Sequence, residues 1–148
     1  MTWEYIAGFF DGEGSIIHKR TGYALSVSQT NEEVLNEIQH FTGVGNVYPL
    51  SKRKSHWKDA WVYCVTDYRG TLKVLKGMLP HLIVKQKLAQ LAIVQVQKLL
   101  MNGEQKVQIR TTRQNKARKL REDGYTFRAI GKELGIDFGY ARKLILKG

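Results

Sequence analysis

The run AGFFDGEGS, Ala7 to Ser15, is the feature that most constrains this chain. The segment before and into it, Trp3 to Phe10, has apolar residues nearly all round: Trp3, Tyr5, Ile6, Ala7, Phe9 and Phe10. A helix over residues 3–11 must therefore bury more than one side, which is more than a short terminal helix on a small monomer usually achieves. It closes among Gly8, Gly12 and Gly14, with Asp11 and Glu13 between them. Glycine costs about 1 kcal/mol relative to alanine inside a helix, and an acid at a helix C-terminus faces the negative end of the macrodipole. Gly8 and Gly12, four apart, share a face on which another backbone can approach closely. The approaching backbone is either another helix of the same chain or a second copy of this one about a two-fold axis. The second arrangement would bring two sets of Asp11 and Glu13 together, where a hard cation such as Mg²⁺ could balance their charge. Without that pairing, the acids read as a solvated loop.

From Gly14 the periodicity changes to that of a hairpin. It runs through Ser15–Arg20, a turn at Thr21-Gly22, and Tyr23–Ser28. In the second strand, large Tyr23, Leu25 and Val27 alternate with small Ala24, Ser26 and Ser28, so one face meets a core and the other stays flat. Thr30 or Asn31 can cap a helix over Glu32–Phe41, with Gly43 after its end. A second hairpin, Gly45–Leu50 and Trp57–Thr66, is joined by the basic loop SKRKSHWK, Ser51–Lys58, and in its second strand Trp61, Tyr63 and Val65 alternate with Val62, Cys64 and Thr66. Helices follow over Arg69–Leu79 and, after a break at Pro80, over Lys85–Met101. The order predicts an α+β domain with four antiparallel strands, helices on one face and one open sheet surface.

Residues 103–112 lose the apolar periodicity and read as a linker between a domain at 1–102 and a module at 113–148. The module predicts a basic helix over Arg113–Asp123, a break at Gly124, a helix over Phe127–Leu134 capped by Thr126, and a last helix to Leu146. Two short helices joined by a tight glycine-containing turn form a small all-α helix-turn-helix arrangement. Gly131, Gly135, Ile136, Ala141 and Leu144 fall where such a unit needs small residues, a turn and packing. The alternative is a helical hairpin without a ligand.

Charge decides between these readings. The chain carries net +11, with net +7 in residues 103–148 and net +4 in residues 1–102. A polyanion is the implied partner, and double-stranded DNA ranks ahead of a membrane because no basic amphipathic helix with a broad apolar face is present. One cysteine, Cys64, precludes an intrachain disulfide and a Cys-rich zinc site. With no signal-peptide pattern and no apolar run of membrane-spanning length, a soluble, unprocessed, intracellular protein is expected.

YIAGFFDGEGSI, Tyr5 to Ile16, resembles the defining motif of the LAGLIDADG homing endonucleases, in their single-motif, homodimeric branch. LPHLIVKQK, Leu79 to Lys87, is independently similar to the segment that carries that family's basic active-site lysine. The order of hairpin, helix, hairpin and helices agrees across residues 1–102. The resemblance implies an αββαββα saddle whose four-stranded antiparallel sheet lies along the DNA major groove, with cleavage across the minor groove. It implies a homodimer that meets through Ala7, Gly8, Asp11 and Gly12. Glu13, with Gly12 beside it, matches the metal site, which takes Mg²⁺, or Mn²⁺ or Ca²⁺ in its place in a crystal. Lys85 corresponds to the basic residue near the attacking water, and Gln29 to a polar residue of the solvent network. Glu33 stands where relatives carry a basic residue.

For the DNA face, alternation selects Ala24, Ser26 and Ser28, and the resemblance adds Ile17 and Lys19, although periodicity alone leaves His18 and Arg20 open. Lys52, Arg53, Lys54 and Lys58 are expected to meet phosphates rather than bases. In the C-terminal module, Asp137, Tyr140, Arg142 and Lys143 lie on or entering the presumed recognition helix. No histidine is placed as a base, and His18, His40, His56 and His81 read as surface or structural residues. The implied activity is site-specific, metal-dependent double-strand cleavage at a long pseudo-palindromic site, in a prokaryotic or phage-infected cytoplasm or an organelle. A non-cleaving DNA-binding regulator and an intron RNA maturase are the alternatives.

Overall fold

The computed structural model describes residues 1–20, 22–52 and 56–146. The chain divides into two compact units, Met1–Leu100 and Met101–Gly148.

In the first unit, α1 (Trp3–Glu13) is capped by Thr2, whose hydroxyl accepts from the Tyr5 amide, and it runs without a loop into β1 (Gly14–Lys19). Gly14 makes this junction possible, because a Cβ there would lie 2.3 Å from the Phe10 ring. β2 (Gly22–Gln29) completes the hairpin, and α2 (Glu32–Thr42) follows, with Asn31 as N-cap and Gly43 closing it at φ 65°. β3 (Asn46–Pro49) and β4 (Trp61–Val65) form the second hairpin. α3 (Tyr68–Met78) starts from an Asp67 cap and ends in a 3₁₀ turn, Leu79–His81, where Pro80 stops the helix.

The sheet order is β1-β2-β4-β3, antiparallel throughout. Because side chains alternate along each strand, register fixes two faces. Leu25 and Val65 pair on the inner face, as do Val27, Tyr63 and Val47, and α1, α2 and α3 cover that side. Trp3 ties the helical layer together, edge-on to Phe41 at 5.1 Å and against α3 at Gly77, where a Cβ would come within 2.5 Å of the indole. The Tyr63 hydroxyl donates to the Val44 carbonyl at 2.9 Å and pairs with Thr42 Oγ1 at 2.9 Å, which satisfies a phenol at the core boundary. This is the expected αββαββα arrangement, with small corrections: β4 begins at Trp61 rather than Trp57, and β3 is four residues long.

The main departure lies after Lys85. Residues 103–112 are not a break, and Arg113–Asp123 is not a separate helix. Instead α4 runs from Gln86 to Glu122 as one helix of 37 residues. Its first turns bury Ala89, Ala92, Ile93 and Val96, whereas residues 101–113 are exposed on every side. Loss of an apolar stripe removes packing, but it does not remove helix propensity. Residues 104–122 are rich in Gln, Lys, Arg and Glu, and only Gly103 opposes the helix.

The second unit packs the end of α4 with α5 (Phe127–Leu134) and α6 (Phe138–Leu146) around Ala117, Ile130 and Ala141. Gly124 (φ 88°) and Gly135 (φ 62°) make the two turns. Gly131 permits a close crossing, because a Cβ there would lie 2.8 Å from the Ile136 carbonyl oxygen. No helix among the described residues is long and apolar enough to cross a membrane.

Candidate active site and nucleic-acid interface

The acids of the opening run have separate surroundings. Asp11 faces its own chain, where its carboxylate accepts from the backbone amides of Ile83 (2.7 Å), Val84 (3.2 Å) and Lys85 (2.9 Å). These amides precede α4, so Asp11 caps the approach to that helix. Lys85 answers from the other side, its Nζ donating to the carbonyl of Phe10 at 2.9 Å and to that of Asp11. An ammonium thus sits on the electronegative end of α1, and a carboxylate sits on the electropositive start of α4. Burial alone would raise the Asp11 pKa, but the three amide bonds and the Lys85 charge together hold it below the ordinary aspartate value.

Glu13 ends α1 exposed, with no ion pair to any described residue. Lys85 occupies the Phe10 and Asp11 carbonyls, which leaves Gly12 and Glu13 as the remaining carbonyls of the last turn. The register carries β2 two residues past the Gly14–Val27 pair, so Ser28 and Gln29 lie level with this helix end. Lys85 thus stands on the last turn of α1 with Gly12 and Glu13, and Gln29 lies on the neighbouring strand, paired with Trp61. Gln29 Oε1 accepts from the Thr30 amide (2.8 Å) and hydroxyl (3.2 Å). No cluster of three His, Cys, Asp or Glu side chains able to hold a metal occurs among the described residues. One chain supplies a carboxylate and a carbonyl, hard donors suited to Mg²⁺, which commonly takes one or two carboxylates and fills its other positions with water or phosphate oxygen.

On the outer face of α1, a Cβ at Gly8 or Gly12 would meet nothing within 4 Å. The bare face is thus not a contact with any described residue of the chain. Ala7 does not share it. Although expected at a dimer contact, Ala7 is fully buried in the chain's own core, because an all-round apolar segment cannot reveal from sequence which side faces in.

Beyond the α1 junction, the open sheet face carries Ser15, Ser26, Cys64 and Asn46 in one row and Ser28, Val62 and Tyr48 in another. Ile17 lies opposite Ala24 and is exposed, whereas Ala24 is 3% exposed and forms floor rather than a reaching contact. Lys19 falls on the same side as Ile17, at the strand end, and Arg20 is in the turn. His18 has the opposite parity, its ring 4.9 Å from that of Tyr23. Asn46, Tyr48, Val62 and Cys64 were not singled out from the sequence as face residues, although alternation in β4 contains the signal for Val62 and Cys64. Lys52 pairs with Asp59 at 2.9 Å, Lys58 is exposed, and Arg53 and Lys54 lie outside the described residues. In the second unit, Asp137 Oδ1 accepts from the amides of Gly139 (2.8 Å) and Tyr140 (3.3 Å), so its carboxylate caps α6. Tyr140, Arg142 and Lys143 are exposed.

This helix-backed sheet with a glycine-faced, acid-ended helix at its edge is the architecture of a known nuclease class. Residues 2–135 match the family model of a LAGLIDADG-like domain, and the chain belongs to that family. In fold it is similar to the homing endonuclease I-CvuI in complex with the I-CreI target in 2 mM Mg, where the DNA is not cleaved (TM-score 0.54, 20% identity, 98% of this chain and 92% of that one). It is also similar to I-CvuI with its own target in 2 mM Ca (TM-score 0.53, 22% identity, 98% and 92%). A third similar structure is the archaeal intron-encoded homing endonuclease I-Vdi141I complexed with DNA (TM-score 0.51, 21% identity, 98% and 94%). No curated protein matches the chain. The family match runs through α5 to Gly135, so it takes in the end of α4 and α5 of the second unit and stops before α6.

Proposed function

We propose that this chain is a homodimeric homing endonuclease that makes a metal-dependent double-strand break at a long pseudo-palindromic DNA site. The observation that carries the reading is the joint placement of Glu13, Gly12 and Lys85 at the end of α1, where that helix turns directly into the open sheet. Two copies of α1 meeting through the bare Gly8–Gly12 face would bring two such ends together. Ile83 and Val84, 87% and 76% exposed beside Asp11, extend the surface available for self-association.

Glu13 and the Gly12 carbonyl would hold a divalent cation, completed by the second copy, water and phosphate oxygen. When bound, that ion supplies charge for the phosphoryl and leaving oxygens. Lys85, fixed on two carbonyls, places a positive charge beside them and stabilises the charge added to phosphorus. Asp11 positions Lys85 by holding its backbone. His18 packs on Tyr23, and His81 lies 3.7 Å from Glu4, so neither is spent on these groups. Solvent water is left as the proton acceptor. The open face, short and uncharged at its centre, suits base edges in the major groove, with Lys19, Arg20, Lys52 and Lys58 at its rim for phosphates.

The test uses a duplex recovered from a randomised library by binding to the protein. Wild-type protein with Mg²⁺ should cut it, and Glu13→Gln should bind it but cut at least ~10²-fold more slowly. Lys85→Met should also slow cutting. Binding without cleavage in Mg²⁺ or Mn²⁺ by the wild type would establish the regulator instead, and preference for structured intron RNA over duplex would establish the maturase.

A further inference from the structure

The second unit offers a feature that the nuclease chemistry does not use. Successive residues of a helix are turned by about 100°, so Ala141, Leu144 and Ile145 place one side of α6 on the core. The opposite arc holds Gly139, Arg142, Lys143 and Leu146, all exposed. Two aromatic residues stand at the borders of that arc, and each is associated with an arginine from a different helix. On the α5 side, the Arg128 guanidinium lies over the Phe138 ring, 5.9 Å from its centroid. On the α4 side, Tyr140 lines a groove of about 390 Å³ with Arg110, Gln114, Lys143 and Leu144, and no acid is among these residues. Gln114 Nε2 donates to the Leu144 carbonyl at 3.0 Å and fixes the floor of that groove to α6.

We infer that α6 docks in the major groove of duplex DNA with its two flanks held on the phosphates of the two strands, by Arg110 on one side and Arg128 on the other. The inference rests on the reading of the chain as a DNA-acting protein, and it assigns the second unit a site of its own. Three observations point to a two-walled polyanion rather than to a general basic surface. The cations flank the outward arc on both sides. The middle of that arc contains Gly139, so the backbone can approach closely. Asp137 is turned onto the amides of α6, and Glu133 pairs with Lys116 at 3.8 Å. A B-form major groove is about 12 Å wide and admits a helix between its phosphate walls, whereas the A-form groove of RNA is too deep and narrow. The guanidinium is also the cation best shaped to grip phosphate, and a ring beneath it limits the entropy lost on docking.

Phosphate contacts and base contacts separate experimentally. The full chain is titrated, without divalent metal, against the selected duplex carrying long constant arms, over a series of salt concentrations. Arg110→Gln and Arg128→Gln should each lower the slope of log K against log salt by about 1, and the double variant by about 2, whatever the sequence of the arms. Trimming the arms from the wild-type complex should produce the same loss, after which the variants should bind like wild type. Arg110→Lys and Arg128→Lys, which keep the charge, should retain most of the slope and show that folding is not the cause. Unchanged slopes in the glutamine variants overturn the clamp, and so does an equal loss on trimmed and untrimmed duplexes. A normal salt effect with no cleavage by wild type overturns the nuclease reading alone, and cleavage with no salt effect overturns the clamp alone.

Discussion

The surfaces of the two compact units differ in where they carry charge. The open face of the first is uncharged at its centre, with Ser15, Ser26, Ser28, Asn46, Tyr48 and Cys64, and its cations sit in turns at the rim. The second carries net +7 over residues 103–148 and displays its cations on the helices themselves. Their interiors differ as much. Among the described residues, the first buries a cluster of eighteen apolar residues, and the buried centre of the second is Ala117, Ile130 and Ala141. A large core can hold small neutral side chains in fixed register, which sequence discrimination requires. A small core can hold a few helices and their charges, which is enough for salt-sensitive affinity. Under the proposed function, discrimination and chemistry fall to the unit with the larger core, and salt-sensitive grip to the unit with the smaller one.

Ile130→Ala is the harshest way to break this comparison. Ile130 is fully buried in the small core, and truncation should cost about 3 kcal/mol, much of what a unit of this size has. Hydrogen exchange should show amides of α5 and α6 losing protection while those of β2 and β4 keep theirs. Affinity for long duplexes should fall, and cleavage of the selected site at low salt should survive. Uniform loss of protection in both units would mean one cooperative body, and the division of labour would fail.

Within the first unit, Asp11→Asn gives the next largest effect. Three amides donate to a charged carboxylate, and losing that charge should destabilise the unit by about 2 kcal/mol near neutral pH. The folded pKa of Asp11 is lowered, so its contribution is fully present above the unfolded-state value of about 3.9 and is lost as pH falls through the lower folded value. The gap between wild-type and variant melting should therefore narrow in acid. A gap that stays constant with pH would show that the bonds matter only as neutral contacts.

Much of this was legible in the sequence because local rules carried it. Asn31 with Gly43, and Thr126 with Gly135, set helix ends by capping that needs no distant partner, and the alternation of Tyr23, Leu25 and Val27 set the buried face of β2. What stayed hidden depends on residues far apart or on a missing signal. The mutual capping of α1 and α4 joins Asp11 to amides 72 to 74 residues away. The continuity of α4 is masked because residues 101–113 are exposed on every side, so their helix has no apolar periodicity to detect. Without that periodicity the sequence places Arg110 in a linker, whereas it lies on α4 beside Tyr140. The inward side of Ala7 could not be chosen in a segment apolar all round.

The smallest effect gives the sharpest sign, because it sets one unit's own stability against its association. Gly8 lies in the middle of α1, where a Cβ would meet nothing within 4 Å of the same chain. Considered alone, Gly8→Ala should stabilise the chain by about 1 kcal/mol through helix propensity. If the bare face exists for a second copy of α1, the same methyl group enters a backbone-to-backbone contact and separates the helices. Denaturant melting at low protein concentration should then show a gain, while sedimentation at high concentration shows weaker dimerisation, and Gly8→Leu should leave a folded monomer. Paired metal sites need the dimer, so cleavage should follow the sedimentation result and not the melting result. A Gly8→Leu protein that still dimerises would place the interface elsewhere and remove the physical reason for two Glu13 carboxylates to converge.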